Sequence, residues 1–279
     1  MAFTASNRPT AALARVLLSP LLLGYALYAL LLFIALAGGA LLAMLVLPGV
    51  QRCRRIARVM ARTFLWCAGM PLRVNALQRL PSGPCVVVSN HASYLDGVVF
   101  TAALPPRFGF VIKREMARVP LAGLFLRKLG SEFVERVNRH RGAADARRVL
   151  RSAANGSSLM FFPEGTFPQQ AGVLRFHTGA FAAAARAGCP LVPAIVRGTR
   201  RRLPPGIGLP CPGRIEVEIL PAIETTADCA ESAALELRIR ARHAILDALG
   251  EPDLDPTCCA DTDHPLHRAH ARSAPASRP

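Results

Sequence analysis

The chain has 279 residues, 52% of them hydrophobic, and 34 Lys and Arg against 18 Asp and Glu, a formal net charge of +16. It is long enough to bury a full core, and the charge implies an anionic partner without choosing among nucleic acid, a lipid surface and phosphorylated substrates. Its eight cysteines include no C-x-x-C pair and no Cys/His group at zinc spacing, so a metal site is not expected, and thiols scattered through apolar segments suit a reducing compartment.

From Val16 to Gln51, 36 consecutive residues carry no charge. A helix needs only about 20 apolar residues to cross a hydrocarbon core of about 30 Å, and a secretory signal would have an apolar stretch of only about 7 to 15, so the length points to a retained anchor over residues 1–50. The segment is too long for one straight perpendicular span, and Gly38-Gly39 offers a break. Two arrangements fit: a single span, or a two-helix hairpin bent near Gly38. Arg52, Arg54, Arg55, Arg58 and Arg62 follow the segment while Arg8 and Arg15 precede it, and this bias puts the following domain in the cytoplasm, on the inner membrane of a cell.

Residues 51–78 read as a basic amphipathic interfacial helix (about Gln51 to Met70) and a linker. Beyond them short apolar runs alternate with helical patterns, the signature of an α/β domain. Strands are predicted at Cys85 to Ser89, Gly109 to Ile112, Leu159 to Phe162, Leu191 to Val196 and Ile215 to Leu220. Helices are predicted at about Ser93 to Ala103, Ala122 to Leu129, Gly142 to Ala154, Gly179 to Ala187 and Ala233 to Leu249. The tail, 251–279, is rich in Pro, Asp, His, Ser and Arg without apolar periodicity and reads as disordered.

Two polar clusters follow predicted strands. In the first, Asn90-His91-Ala92-Ser93-Tyr94-Leu95-Asp96, a histidine suited to proton transfer stands five residues before a carboxylate able to fix its tautomer. On a regular helix that separation leaves the two side chains about 140° apart, so they meet only if His91 lies in a turn before the helix, with Ser93 as its N-cap. The bland alternative is a polar turn, with Asp96 complementing a helix N-terminus. The second cluster is Phe162-Pro163-Glu164-Gly165-Thr166. Here Gly165 permits close backbone approach, and the residues fit either an anion site or an ordinary turn.

Taken in order, these blocks resemble the glycerol-phosphate and lysophosphatidic acid acyltransferase family. His91 to Asp96 has its H-x-x-x-x-D form, Gly109 to Glu115 its next block, Phe133 to Arg136 its strand ending in Arg, Phe162 to Thr166 its F-P-E-G-T block, and Leu191 to Ala194 its V-P element. The resemblance runs from about Arg79 to Arg200. It implies a single acyltransferase domain over 79–250, with a central mixed sheet flanked by helices. It also implies transfer of a fatty acyl group from acyl-CoA or acyl-carrier protein to a lysophospholipid hydroxyl, foremost 1-acylglycerol-3-phosphate, with no further cofactor and no metal.

By the same carry-over His91 is the general base and Asp96 its orienter. Arg136 and Lys113 would bind the acceptor phosphate, Glu164, Gly165 and Thr166 would orient the acceptor head, and Pro193 would shape the acyl or donor pocket. The sequence departs from the family at Phe167, where Arg is common, and at His177, where Lys is common; Arg175 is the nearby substitute. These losses leave open another lysolipid acceptor, such as an amino-acid lipid. A noncatalytic membrane tether or nucleic-acid binder would account for the arginines but not for the ordered blocks, so the expected partners are membrane lipids, the acyl donor and the acceptor, not nucleic acid. A thioesterase using the same histidine with water is the remaining alternative.

Overall fold

The computed structural model describes residues 9–135, 139–206, 208–224 and 229–255; Arg136 and the tail beyond 255 lie outside them. The uncharged segment forms one helix, α1 (Pro9–Val46), which at 1.5 Å per residue is about 57 Å long. Its stretch Pro20–Val46 is long and apolar enough to cross a membrane. Gly38 and Gly39 lie inside the helix and do not break it; the chain turns instead at Leu47–Gly49, where Gly49 has φ 108°. Pro48 cannot continue a helix, and the positive φ favours glycine, so the hairpin bend falls here and not near Gly38.

After the bend α2 (Val50–Cys67) runs back along α1. Tyr25 and Tyr28 hydroxyls donate to the carbonyls of Ala68 (2.7 Å) and Cys67 (3.0 Å), and Phe33 meets Phe64 edge-on at 5.3 Å. Nearer the bend Ala40 and Met44 pack on Cys53 and Ala57. On α1, Leu23, Leu27, Leu30, Leu31 and Ile34 stay exposed.

The arginines of α2 divide. Arg54 donates from Nε to Leu129 O (2.9 Å) and from Nη1 to Arg107 O (2.8 Å), while Arg58 and Arg62 donate from Nε to Ala102 O at 3.3 and 2.9 Å. They thus meet carbonyls at the C-terminal ends of α3 (Asp96–Ala103) and α4 (Ala122–Lys128), where the helix dipole favours a cation. Arg52 and Arg55 remain exposed. The helix therefore spends three of its five cations holding the domain.

Among the described residues that domain carries seven strands: β1 (Leu72–Asn75), β2 (Val86–Ser89), β3 (Phe108–Lys113), β4 (Glu132–Val134), β5 (Ser158–Phe161), β6 (Leu191–Arg197) and β7 (Ile215–Ile219). Their order is β1-β7-β6-β2-β5-β3-β4. The β6, β2, β5, β3 and β4 strands are parallel neighbours; β7 pairs antiparallel with β6 and parallel with β1, so the sheet is mixed. The two edge strands β1 and β4 are short and only partly buried, which is why no apolar run betrays them.

All four β2 residues are buried, as expected of a parallel strand covered on both faces. Val87 joins Met160 and Val192 beneath Leu65, Val99 and Phe100 of α2 and α3. Val86 and Val88 pack toward Phe181, Leu237 and Ile245 of α6 (Gly179–Ala187) and α8 (Ala230–Leu249), with Val149 of α5 (Arg139–Ala154) beside them. After β6 comes the one-turn α7 (Thr199–Arg202). Residues 251–255, placed in the disordered tail by composition, instead lie against the domain, with Asp253 bridged to Val173.

Candidate active site

The parallel strands all point their C-terminal ends to one edge, the edge where α/β folds place their sites. His91 follows β2, Lys113 ends β3, Glu135 follows β4 and Glu164 follows β5.

Leaving β2, the chain is fixed by Asn90, whose side chain accepts from Val196 N (2.9 Å) and donates to Val196 O (3.1 Å) on the neighbouring strand. The next residues form the turn that the spacing requires. Asp96 opens α3 and reaches back, its Oδ2 meeting His91 Nδ1 at 2.7 Å and accepting from the amides of Ala92 (2.7 Å) and Ser93 (2.9 Å). The carboxyl group is 0% exposed, and all three contacts fall on one of its oxygens. Ser93 caps the turn that leads into the helix: its Oγ accepts the Leu95 N–H at 3.2 Å while donating to Leu203 O at 2.7 Å, and the helix itself starts three residues later. A carboxylate on Nδ1 fixes the proton there and leaves Nε2 as the ring's acceptor.

The His91 ring remains 18% exposed between two aromatic side chains. Phe162 stacks on it at 4.4 Å, and Phe167 meets it edge-on at 4.6 Å while also touching Tyr94 at 4.8 Å. Phe167, the departure from Arg, therefore forms an apolar wall against the imidazole. The ring's orientation is set by packing as well as by Asp96.

Glu164 lies behind this pair at 3% exposure. Its Oε1 accepts the His91 backbone N–H (2.7 Å) and its Oε2 the Leu174 N–H (2.8 Å). Burial pushes its carboxyl up to about 7, against the pull of those two amides and of Arg200, with Asp96 adding a smaller upward push. The residue expected to orient the acceptor head is thus occupied in tying three segments together. Gly165 makes the turn at φ 74°, its N–H donating to Phe162 O, and Thr166 beyond it is exposed.

The other expected residues are spread around the rim. Lys113 is 51% exposed and 3.5 Å from Glu115; Arg175 and His177 are exposed, with the His177 N–H donating to Pro163 O. Pro193 is buried in β6 opposite Val88 and lines the core of the sheet. Arg136 lies outside the described residues, but the N–H of Glu135 before it donates to Asp145 (2.9 Å), a buried carboxylate that also holds Arg114 (Nε, 2.9 Å). Asp145, Arg200 and Leu174 carry no sequence signal, since none stands in a motif. Among the described residues no three His, Cys, Asp or Glu side chains gather as a metal-holding group.

Fold and site together define an α/β domain with a half-buried histidine held by a buried aspartate at the C-terminal edge of its parallel strands. The family model described as Acyltransferase matches residues 71–197. The Brassica napus 1-acyl-sn-glycerol-3-phosphate acyltransferase BAT2, chloroplastic, is 33% identical over 135 residues, 48% of this chain but 39% of its own, so the chain spans about two-fifths of that relative. The Caenorhabditis elegans protein acl-2, assigned by name to the same enzyme type, is 30% identical over 197 residues, 69% of this chain and 70% of its own. The crystal structure of the 1-acyl-sn-glycerophosphate acyltransferase PlsC from Thermotoga maritima superposes with a TM-score of 0.68 over 85% of this chain and 96% of its own, at 21% identity, which speaks to the fold. The chain belongs to the glycerolipid acyltransferase family.

Proposed function

We propose that the chain transfers a fatty acyl group from acyl-CoA or acyl-carrier protein to the free hydroxyl of a lysophospholipid, foremost 1-acylglycerol-3-phosphate, giving phosphatidic acid. The observation that carries this reading is the 2.7 Å contact of His91 Nδ1 with a buried Asp96 whose same oxygen also accepts two backbone amides. That geometry holds Nε2 ready as a base and stabilises the imidazolium once it forms.

In the proposed reaction Nε2 takes the acceptor's hydroxyl proton as its oxygen attacks the thioester carbonyl. The tetrahedral adduct then expels the thiolate, which recovers the proton from the imidazolium, leaving an ester and a free thiol. No covalent acyl-enzyme is needed. Lys113 at the end of β3, Arg175 in the loop after β5, and Arg136 would take the acceptor phosphate, and Gly165 and Thr166 its glycerol head. Glu164 acts through the His91 backbone, and Pro193 supports the sheet beneath the site.

The apolar helix α1 supports attachment to the membrane, and we propose the cytoplasmic leaflet of the inner membrane, where a water-borne thioester meets a lipid acceptor. Arg52 and Arg55, the exposed cations of α2, would each contribute about 1 kcal/mol near an anionic surface. The test is to incubate membranes carrying the protein with labelled acyl donors and a panel of lysolipids, and to identify products by mass. Labelled phosphatidic acid that disappears with His91→Ala is the expected result; thiol release independent of any acceptor would overturn it.

A further inference from the structure

The segment after the last helix is not needed by anything in the motif pattern, yet it is bound to the active-site loop at every turn. The loop between β5 and α6, residues 162–178, carries Glu164, Thr166, Phe167, Arg175 and His177. Pro252 O accepts from Val173 N (3.0 Å) and Leu254 N donates to Val173 O (3.0 Å), so residues 252–254 lie beside the loop, joined to it by a single parallel β-bridge at Asp253 and Val173. Glu251 Oε2 accepts the Gly172 N–H at 2.7 Å.

Two arginines clamp this pair of segments. Arg242, 7% exposed, donates from Nη1 to Asp253 Oδ2 (2.6 Å) and from Nη2 to Val173 O (3.3 Å), with its guanidinium over the Phe176 ring at 5.8 Å. Arg200 donates from Nη1 to Pro168 O (2.7 Å) and Gln170 O, and from Nη2 to Glu251 Oε2 (3.3 Å). Gly172 has φ +141°, and a Cβ there would stand 2.5 Å from the Leu254 side chain and 2.9 Å from Pro252 O. The two backbones are therefore in direct contact. One residue further, Leu174 N–H holds the carboxylate that holds His91.

We propose that Glu251–Asp255 is a strap that positions the acyl-transfer site, with Glu251 and Asp253 as positioning residues that keep Leu174 on Glu164, and through it His91 and the acceptor-facing loop, in register. This rests on the acyltransferase reading above. The strap touches no reacting atom. It removes slack from a 17-residue loop that would otherwise order itself only when substrate binds, an entropy cost charged to acceptor affinity. Misplacement of about 1 Å at a reacting centre can cost about a hundredfold in rate.

The test uses the full-length chain with Glu251→Ala, Glu251→Gln and Asp253→Ala, and Arg240→Ala on the exposed face of α8 as control. Hydrogen exchange is read first, because it requires no reaction. Glu251→Ala and Asp253→Ala are expected to speed exchange in peptides covering 164–178 and 90–95, with β2 and β6 unchanged. Kinetically the acceptor KM should rise about fivefold or more and kcat fall about tenfold or more, with the donor KM unchanged. Glu251→Gln, which keeps an acceptor for Gly172, should lie between Glu251→Ala and the parent, and Arg240→Ala should match the parent. Unchanged exchange over 164–178 would overturn the strap, as would a loss of rate that merely follows the folded fraction with both KM values intact. If the parent chain transfers no acyl group at all, the functional reading falls while the exchange comparison still decides the strap.

Discussion

The two polar segments that build the site are held in opposite ways. The turn after β2 is closed chiefly from within: Asp96 secures His91, Ala92 and Ser93, all within five residues, while Asn90 makes two bonds to Val196 in β6 and Ser93 one to Leu203. The loop after β5 is closed from outside, by Arg200, Arg242 and residues 251–254, with Glu164 joining it to the first turn. On the proposed reaction, the comparison teaches that the group that moves a proton is prepared locally, whereas the surface proposed to meet the acceptor is prepared by distant parts of the chain. Substitutions in the first segment should strike the chemical step alone, and those in the second should fall on acceptor binding, on folding and, through Glu164, on the rate.

The largest effect belongs to His91→Ala. Loss of a general base costs typically about 10² to 10⁴ in rate, and acyl transfer in isolated membranes should drop at least that far while the protein accumulates normally. A correctly expressed variant with full activity would break the local half of the comparison. Next is Asp96→Asn, which keeps the volume but removes the charge facing the imidazolium and sets an amide against two backbone N–H donors. A kcat loss of roughly 10² to 10⁴, with the acceptor KM within about twofold, is the expected outcome in steady-state kinetics. Should acceptor KM rise instead with kcat held, Asp96 would be a binding residue and not an orienter.

The same contrast explains what could be read in advance. Five strands and the helices between them announce themselves as apolar runs and helical periods: β2, β5 and β6 because burial on both faces imposes composition, and β3 and β7 because one face or end packs inward. β1 does not, since Leu72–Asn75 is a short, half-covered edge. The His91–Asp96 contact was legible as a condition on the turn, since helix geometry alone forbids it. The turn's outer fastening was not: Ser93 takes the Leu95 N–H as a cap does, but its hydroxyl proton goes to Leu203, 110 residues away. Glu164 was legible as a member of a block and illegible in its contacts, since its partners are the backbone amides of Leu174 and His91, which no side-chain pattern records. The bend at Pro48-Gly49 was overlooked for Gly38-Gly39, although proline is the stronger stop; glycine within a long apolar helix costs only about 1 kcal/mol and does not break it.

Glu164→Gln tests the bridge between the halves, and its effect should be intermediate. The amide can accept one of the two N–H groups but turns its own NH2 toward the other, so kcat should fall about tenfold, since an unmet buried donor costs about 1 to 3 kcal/mol. Stability carries a pH signature. Because the folded carboxyl titrates near 7, above its ordinary value of 4.5, the folded state binds the proton more tightly than the unfolded one between those values. Its contribution is fully present below about 4.5 and is lost as pH rises through about 7, on the order of 3 kcal/mol across the window. Chemical denaturation at pH 5 and pH 8 should show that slope in the parent chain and a flatter one in Glu164→Gln. Equal slopes would mean that the carboxyl stays ionised throughout and that its two amide bonds outweigh its burial.

The smallest effect is expected at Arg175, and it separates the loop's scaffold from its cargo. Arg175 directly follows the amide tied to Glu164, so its backbone is fixed while its side chain is exposed. An exposed charge pair is worth about 0 to 1 kcal/mol, so Arg175→Ala should raise the KM of a phosphate-bearing acceptor by no more than about fivefold. Added salt should narrow the gap between variant and parent, because exposed charges more than about 10 Å apart are screened at 0.1 M. The donor KM, kcat and hydrogen exchange over 164–178 should stay at parental values. A fall in kcat or faster exchange there would show that Arg175 helps to build the loop, and the division between a locally prepared base and a remotely prepared acceptor surface would then need a third, charged contributor from the loop itself.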